Sequence, residues 1–368
     1  MIYLDYGATS FKKPPTVAEA VRRAMFTCAN PGRGGYLPSE EAAKTVFRCR
    51  ERCAGFFDCD PEQVVFTANC THGLNIAIQT LVEPGDRVIV SGFEHNAVMR
   101  PLHALEADVV VAGRRLFDWE NTLKEFRSAL EKGAKAAVFT HVSNVFGYVH
   151  PVAELAELCH HYGVPFILDA AQSAGSLPVK LRELGAAFIA APGHKGLLGP
   201  QGTGVLLCNR LPRPLLLGGT GSNSLSRQMP DFLPDIGEAG TLNVPGIAGL
   251  DAGLSYLQRV GIPNIALREQ REAEACARGL EALGVLVFRG EHGSNVISFV
   301  PEGDCEVVAE AFAHQGVCLR AGLHCAPLAH ESGGTLATGT VRVSFGYDAS
   351  AGQTRSFLKT AEKILRFS

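Results

Sequence analysis

Residues 164–175 read V-P-F-I-L-D-A-A-Q-S-A-G, and residues 186–195 read A-A-F-I-A-A-P-G-H-K. Each stretch is a short apolar run followed by polar residues, a pattern typical of a buried parallel strand. Ligands of open α/β sheets bind beyond the carboxyl ends of the strands, so we expect Asp169 and Lys195 to face one crevice. The residues alone leave a second interpretation open, in which Asp169 caps a helix and Lys195 is a surface lysine.

A lysine and an aspartate in one crevice are the pair that pyridoxal phosphate uses in proteins. The lysine amine forms a Schiff base with the cofactor, and the carboxylate keeps the ring nitrogen protonated, so that the ring can accept electrons. On the first interpretation, the sequence therefore predicts a pyridoxal phosphate site.

The composition is that of an ordinary globular protein: 46% of the 368 residues are hydrophobic and 19% are charged. A net charge of −3 indicates no strong affinity for nucleic acid. The start M-I-Y-L-D-Y lacks the features of a signal peptide, and no apolar run approaches membrane-spanning length. The eleven cysteines lack the spacing of a disulfide framework, so we expect reduced thiols and a cytoplasmic location.

Strands alternate with helices over most of the chain, which predicts an α/β fold with a mainly parallel sheet. The pattern changes near residue 262, where a long charged helix precedes short strands that include one ending at Arg320. We therefore expect a large domain at 13–261 and a smaller α+β domain made of 1–12 and 262–368. Residues 38–57 have helical periodicity, and we interpret Cys49 and Cys53 within them as packing thiols rather than metal ligands.

Three turns after predicted strands carry polar residues. Cys70 and Thr71 open a helix after the strand at 64–67, where free N–H groups and the helix dipole favour an anion. His95 and Asn144 follow two further strands. Each feature also has a plain structural interpretation, as a helix cap or a surface turn.

Several motifs together resemble those of the class V aminotransferases of fold-type I, and within them the shorter-loop (group II) cysteine desulfurases. The resemblance extends over nearly the whole chain. Its motifs are D-A-A-Q at 169–172, G-H-K at 193–195, H-V-S-N-V-F-G at 141–147, E-A-G-T-L-N at 238–243, R-A-G-L-H-C-A at 320–326 and V-R-V-S-F-G at 341–346.

The resemblance implies roles for individual residues. It implies a nucleophilic thiol at Cys325 and a cofactor-bearing amine at Lys195, with His95 over the cofactor ring as a stacking group and proton shuttle. The residues implied in cofactor binding are Lys195, Asp169, Gln172, His194, His95, Cys70, Thr71, Asn144 and, from a neighbouring subunit, Thr241. Those implied in substrate binding are Arg342, Asn144 and Arg320, and no metal site is implied.

The chain departs from the family pattern at five positions. Cys70 replaces a residue that is often Thr or Ala. Tyr6 and Gly7 stand where the family usually has Asn and Ala. Pro192 stands where a phosphate-binding Ser is usual, so phosphate binding must depend on His194 and the turn at 70–71. Leu323 replaces a histidine. The loop at 30–35 is either a plain connection or, as in the family, a mobile lip near the substrate.

The resemblance implies a homodimer that removes sulfur from L-cysteine with pyridoxal phosphate, forms L-alanine and a persulfide on Cys325, and passes the sulfur to a protein acceptor. Two alternatives stay open on the sequence. One is a selenocysteine lyase on the same scaffold. The other is a class V aminotransferase or β-lyase in which Cys325 takes no part.

Overall fold

The computed structural model of the chain describes residues 1–32 and 34–365. The strands are β1 (Ile2–Tyr3), β2 (Val64–Thr67), β3 (Arg87–Ser91), β4 (Asp108–Ala112), β5 (Ala136–Thr140), β6 (Phe166–Asp169), β7 (Phe188–Pro192), β8 (Gly204–Cys208), β9 (Leu286–Phe288), β10 (Val296–Val300), β11 (Val317–Cys318), β12 (Arg320–Gly322) and β13 (Thr340–Ser344). The α-helices are α1 (Pro15–Thr27), α2 (Leu37–Phe57), α3 (Cys70–Leu81), α4 (Asn96–Ala104), α5 (Trp119–Leu130), α6 (Val152–His161), α7 (Leu181–Leu184), α8 (Val244–Val260), α9 (Ile262–Glu281), α10 (Cys305–His314), α11 (Pro327–Gly333) and α12 (Ala351–Leu365).

A seven-stranded sheet with the order β2-β8-β7-β6-β5-β3-β4 forms the centre of the fold. Only β8 runs against its neighbours, and the other pairings are parallel. The expected α/β fold with a mainly parallel sheet is therefore confirmed.

Both faces of this sheet are covered, which is why its central strands are largely apolar. Every residue of β5, β6 and β7 is buried. One apolar cluster fills the face towards α2, α5, α6 and α8, and a second fills the face towards α3 and α4. Cys49 and Cys53 are buried on α2 within the first cluster, where they pack as apolar side chains.

A four-stranded antiparallel sheet, β12-β13-β10-β9, lies in the last third of the chain with its own apolar cluster. The expected single strand ending at Arg320 is wrong, because the segment forms two strands. β11 pairs in parallel with β1, whereas β12 pairs antiparallel with β13, so the chain passes from one sheet to the other at Leu319. The domain boundaries at 13 and 261 stay a prediction.

The first thirteen residues run from the small sheets to the carboxyl end of the large sheet. β1 pairs with β11, and Asp5 forms a bridge with Ser344, the last residue of β13. The backbone N–H of Ser10 then donates to the carbonyl oxygen of His194, at 3.0 Å. Among the described residues, we find no helix with the length and apolar character needed to span a membrane.

Candidate active site

Asp169 and Lys195 lie at the same edge of the large sheet. Asp169 ends β6 and is paired in register with Ala190 of the parallel β7, and Lys195 follows β7 by three residues. Both border a cavity of about 100 Å³. The cavity is lined by Asn69, Cys70, Thr71, Leu74, His95, Ala97, Thr140, Val142, Asn144, Asp169, Ala171, Gln172, Pro192, His194 and Lys195.

Asp169 is buried, and burial raises the pKa of its carboxyl above the ordinary value. Two donors hold Oδ1: the backbone N–H of Ala171 at 2.8 Å and the thiol of Cys70 at 3.4 Å. These donors and the nearby Lys195 oppose the effect of burial. The arrangement suits a buried carboxylate that receives a further cationic donor from the cavity.

The N-terminus of α3 faces this cavity with Cys70 and Thr71. The side chain of Asn69 caps the helix by accepting from the N–H of His72, at 2.9 Å. Burial raises the pKa of the Cys70 thiol well above its ordinary value, so Cys70 acts as a neutral donor to Asp169. The free N–H groups at such a terminus form an anion site. Pro192 lines the same cavity without an N–H or hydroxyl to add.

His95 caps α4, which fixes the protonation of its ring. Its Nδ1 accepts from the backbone N–H of Ala97 at 3.0 Å, so a neutral ring carries its proton on Nε2. Burial, followed by the positive charges of Lys195 and Arg320, lowers the pKa of His95 to about 4. Near neutral pH the ring is therefore uncharged and presents an N–H donor.

His194 and Gln172 are both anchored to the first ten residues. His194 shares a hydrogen bond at 3.0 Å between its Nδ1 and the hydroxyl of Thr9. Burial, with Lys195 and Lys13 nearby, lowers the pKa of His194 to about 4. Gln172 donates from Nε2 to the carbonyl oxygen of Gly7 at 3.0 Å, which leaves its amide oxygen as an acceptor.

Arg342 lies behind Asn144 and is only 1% exposed. Its guanidinium donates to the carbonyl oxygen of Asn144 at 3.0 Å and to Asp5 Oδ1 at 2.7 Å. Within the described residues its Nε has no partner, which leaves one donor for a further acceptor. Burial lowers the pKa of Arg342 from its ordinary value, and Asp5 opposes that effect.

Cys325 is exposed on a loop that docks against the large sheet. The loop is held at its backbone: Asn144 donates to the carbonyl oxygen of His324 and the N–H of Asn96 donates to that of Cys325, both at 2.8 Å. The φ angles of His324 and Cys325 are +49° and +57°, a left-handed conformation uncommon for residues other than glycine. Arg320 is exposed and donates to Cys325 Sγ at 3.8 Å.

The structure does not bring Thr241 to the cavity at Lys195. Thr241 lines a separate groove of about 530 Å³, beside Arg50 and Glu238. Its predicted role requires a second copy of the chain and stays a prediction. Parts of the loop at 30–35 border the same groove, while Arg33 lies outside the described residues.

The sequence interpretation missed residues that support the site. Asp5 pairs with Arg342, and Ser10 and Lys13 contact the backbone beside Lys195. Glu94 is buried beneath His95, where it joins β3 to β5 by accepting from Ser91 and from the N–H of Thr140. The only available signal was a charged residue inside or next to an apolar stretch.

The donor set of this cavity fits pyridoxal phosphate. It offers an amine at Lys195, a buried acceptor at Asp169 for a protonated ring nitrogen, and a helix N-terminus for a phosphate. The neutral ring of His95 suits contact with a flat aromatic group. Pro192 lines the cavity but has neither an N–H nor a hydroxyl to donate to a phosphate.

Comparisons with known proteins agree with this geometry. The family model for aminotransferase class V matches residues 2–356. A probable cysteine desulfurase from Methanothermobacter thermautotrophicus is 31% identical, over 99% of this chain and 94% of its own length. Another from Pyrococcus abyssi is 30% identical, over 100% of this chain and 94% of its own length.

A solved structure has the same fold. The apo structure of a cysteine desulfurase from Thermococcus onnurineus NA1 superimposes with a TM-score of 0.91 at 31% identity, covering 100% of this chain and 95% of that one. Members of this fold-type I group depend on pyridoxal phosphate. The chain belongs to the class V aminotransferase family, in its cysteine desulfurase branch.

Proposed function

We propose that this enzyme binds pyridoxal phosphate and is a cysteine desulfurase. In the overall reaction, L-cysteine and the Cys325 thiol give L-alanine and a Cys325 persulfide. The Cβ–S bond of the substrate breaks, an S–S bond forms, and Cβ receives a proton. The reaction needs no external oxidant or reductant until the persulfide is discharged.

Eight cavity residues would hold the cofactor. Lys195 would carry it, Asp169 would bind its ring nitrogen, and the N-terminus of α3 would bind its phosphate. The others are Gln172, His194, His95, Cys70, Thr71 and Asn144, with Thr241 supplied by a second copy. When bound, the cofactor would withdraw electrons from the α-carbon of an amino acid.

Lys195 and His95 would handle protons. Burial and the charge of Arg342 lower the pKa of the Lys195 amine from its ordinary value, so a neutral Nζ is easier to reach than in water. A neutral Nζ can take the proton from the substrate α-carbon. His95 presents Nε2–H to the same cavity and would donate a hydrogen bond there.

The observation that carries the proposal is the placement of Cys325. Its thiol is exposed, and its own backbone and that of His324 are bonded to Asn96 and Asn144, at the edge of the Lys195 cavity. The proposal requires this thiol to take sulfur from a substrate held in the cavity, and its exposure would also let it meet an acceptor from outside. Buried cysteines could do neither.

Three residues would bind the substrate carboxylate. Arg342 has a free Nε, Asn144 lies between Arg342 and the cavity, and Arg320 lies beside Cys325. A guanidinium is suited to paired hydrogen bonds with a carboxylate.

The test is to incubate the loaded enzyme with L-cysteine and reductant and to measure alanine and sulfide together. Equal amounts are expected. Cys325→Ala should lower the rate by about a thousandfold or more, because removal of a nucleophile leaves no group to take the sulfur. The matched control is Cys318→Ala, which removes a partly exposed cysteine on β11 and should form alanine at the rate of the unchanged chain.

Two results would contradict the proposal. Formation of a keto acid in place of alanine would indicate an aminotransferase or β-lyase. A Cys325→Ala variant that desulfurates L-cysteine at the rate of the unchanged chain would show that Cys325 is not the sulfur carrier.

We further propose that the enzyme acts as a homodimer in the cytoplasm, passes sulfur to a protein acceptor, and divides into domains at 13–261 and at 1–12 with 262–368. The position of Thr241 away from the Lys195 cavity supports the dimer, because a second copy would have to supply it. The exposure of Cys325 supports transfer to a partner protein.

A further inference from the structure

The peptide bond that joins His194 to Lys195 is held by several donors. The carbonyl oxygen of His194 accepts from the N–H of Ser10 at 3.0 Å, from the hydroxyl of Ser10 at 2.9 Å and from the hydroxyl of Thr9 at 3.2 Å. Lys13 Nζ lies 3.5 Å from the same oxygen. A carbonyl oxygen has two lone pairs, so this acceptor is fully used.

Lys13 also acts on this oxygen through Ser10. Its Nζ donates to the hydroxyl oxygen of Ser10 at 2.8 Å and to the carbonyl oxygen of Ser10 at 2.7 Å. The Ser10 hydroxyl in turn donates to His194. A cation at the head of such a chain polarises each bond and strengthens it.

Lys13 occupies a place that is unfavourable for a lysine. Burial lowers the pKa of its amine to about 8. Among residues 1–32 and 34–365, no carboxylate lies within salt-bridge range of it, whereas the adjacent Lys12 pairs with Asp348 at 3.2 Å. Lys13 is partly buried. Removing a cation from water without an anionic partner costs free energy, so its contacts with the backbone need another explanation.

We propose that Lys13 and Ser10 are positioning residues that hold the peptide bond between His194 and Lys195 in place while the Lys195 side chain moves. The inference rests on the proposed role of Lys195 as the amine that carries the cofactor and moves the proton. With the peptide bond fixed, the stem of Lys195 enters the cavity from one direction, and only its own torsions change.

The geometry favours this explanation over a purely structural one. Within the described residues, the hydrogen bonds of the Lys13 amine go to Ser10 and His194, and they converge on the residue before Lys195. If the contacts only stabilised the fold, an apolar side chain at position 13 would serve better, because it would avoid the cost of removing a charge from water.

The experiment uses the full chain and three variants at position 12 or 13. Lys13→Met removes the charge and keeps the length, Lys13→Arg restores the charge, and Lys12→Met is the matched control. Each protein is mixed with pyridoxal phosphate at one fixed pH without substrate and trapped with borohydride. Mass spectrometry then follows the labelling of Lys195 over time.

Lys13→Met should label Lys195 about ten times more slowly, Lys13→Arg should recover most of the rate, and Lys12→Met should behave as the unchanged chain. In the loaded enzyme, Lys13→Met should lower kcat about ten- to a hundredfold, because small misplacements of a reacting group have effects of this size. KM for L-cysteine should change little, since the substrate contacts lie elsewhere.

Unchanged labelling and unchanged kcat in Lys13→Met would overturn the inference. If Lys195 of the unchanged chain is not labelled, the proposed function fails instead, so the two failures are distinguishable. Should Lys13→Met not fold, Ser10→Ala provides the test, since it cuts the chain of hydrogen bonds but keeps the N–H of Ser10. It should slow labelling in the same direction by a smaller factor, and an unchanged rate would also contradict the inference.

Discussion

Arg342 is a buried charge that keeps a donor available at the edge of the site. Its guanidinium donates to the carboxylate of Asp5 and to the carbonyl oxygen of Asn144. The carboxylate of Asp5 compensates the positive charge of the guanidinium, which would be unfavourable if buried alone. Within the described residues Nε has no partner, so it can donate to a further acceptor. On the proposed function, a substrate carboxylate would therefore meet a cation that is already oriented.

We predict that Asp5→Asn destabilises the fold by about 3 kcal/mol, because it leaves a buried guanidinium without its counter-charge. Chemical denaturation of the unchanged chain and the variant measures this difference. Asp60→Asn is the matched control, since Asp60 pairs with Arg182 at an exposed site and should change stability by less than about 1 kcal/mol. Equal losses in the two variants would show that the Asp5 pair has no special importance.

At the scale of elements, α9 brings a carboxyl group into the interior. Glu269 is 4% exposed, and within the described residues its Oε2 has no partner. It lines a small cavity that also borders Lys195, between α9 and the backbone after β7. The pKa of Glu269 is raised to about 8. Burial is the main cause and the charge of Asp348 adds to it, whereas Ser176 and Arg268 oppose the shift.

This pKa predicts how stability depends on pH. Between the ordinary glutamate value of about 4.5 and about 8, the folded state retains a proton that the unfolded state has lost, so stability falls as pH rises through this window. Glu269→Gln should remove this loss of stability. At pH 8 its free energy of unfolding should exceed that of the unchanged chain by on the order of 1–3 kcal/mol.

Thermal unfolding at several pH values measures this effect. Glu272→Gln is the matched control on the same helix: its buried carboxylate accepts from Thr354 and Arg271, so the change should lower stability at pH 8. A Glu269→Gln variant that is less stable than the unchanged chain at pH 8 would contradict the prediction.

Elements whose pattern is local were predictable from the sequence. The apolar runs at β5, β6 and β7 and the helical periodicity of α2 were sufficient, because each reports which face is buried. The split of residues 317–322 into β11 and β12 was not predictable, since it depends on partners in two different sheets.

The candidate site also has a part that was predictable from the sequence and a part that was not. Asp169 and Lys195 were predictable because both follow apolar strands. The contacts of Arg342 with Asp5 and of Lys13 with His194 join residues far apart in the chain, and such contacts follow from tertiary packing. No periodic pattern in the sequence indicates these long-range contacts.

At the scale of the whole molecule, large exposed apolar side chains concentrate on α1, the first half of α2 and the segment at 211–232. Such patches usually mark an interface. They include Met25, Phe26, Tyr36, Leu37, Phe47, Leu211, Leu216, Leu217, Leu225 and Phe232. Phe47 also lines the groove that contains Thr241, which connects this surface to the predicted shared site.

We predict that the loaded enzyme has about twice the 39.2 kDa chain mass in light scattering, and that Phe47→Glu shifts it towards the monomer. A charge at a buried interface would be desolvated without a partner. Leu267→Glu on α9 is the matched control: Leu267 is 70% exposed and Phe47 56%, but α9 lies outside this surface. A monomer with full cofactor occupancy, or equal effects of both variants, would contradict the prediction.

The path of the first thirteen residues has a practical consequence for protein engineering. Met1 is 75% exposed, so a purification tag joined there has room to leave the surface. Trimming from the same end is a different matter, because Asp5 contacts Arg342, Gly7 contacts Gln172, and Ser10 and Lys13 contact the carbonyl oxygen of His194. We therefore expect a chain shortened by thirteen residues to lose the contacts that hold Arg342, Gln172 and the peptide bond before Lys195.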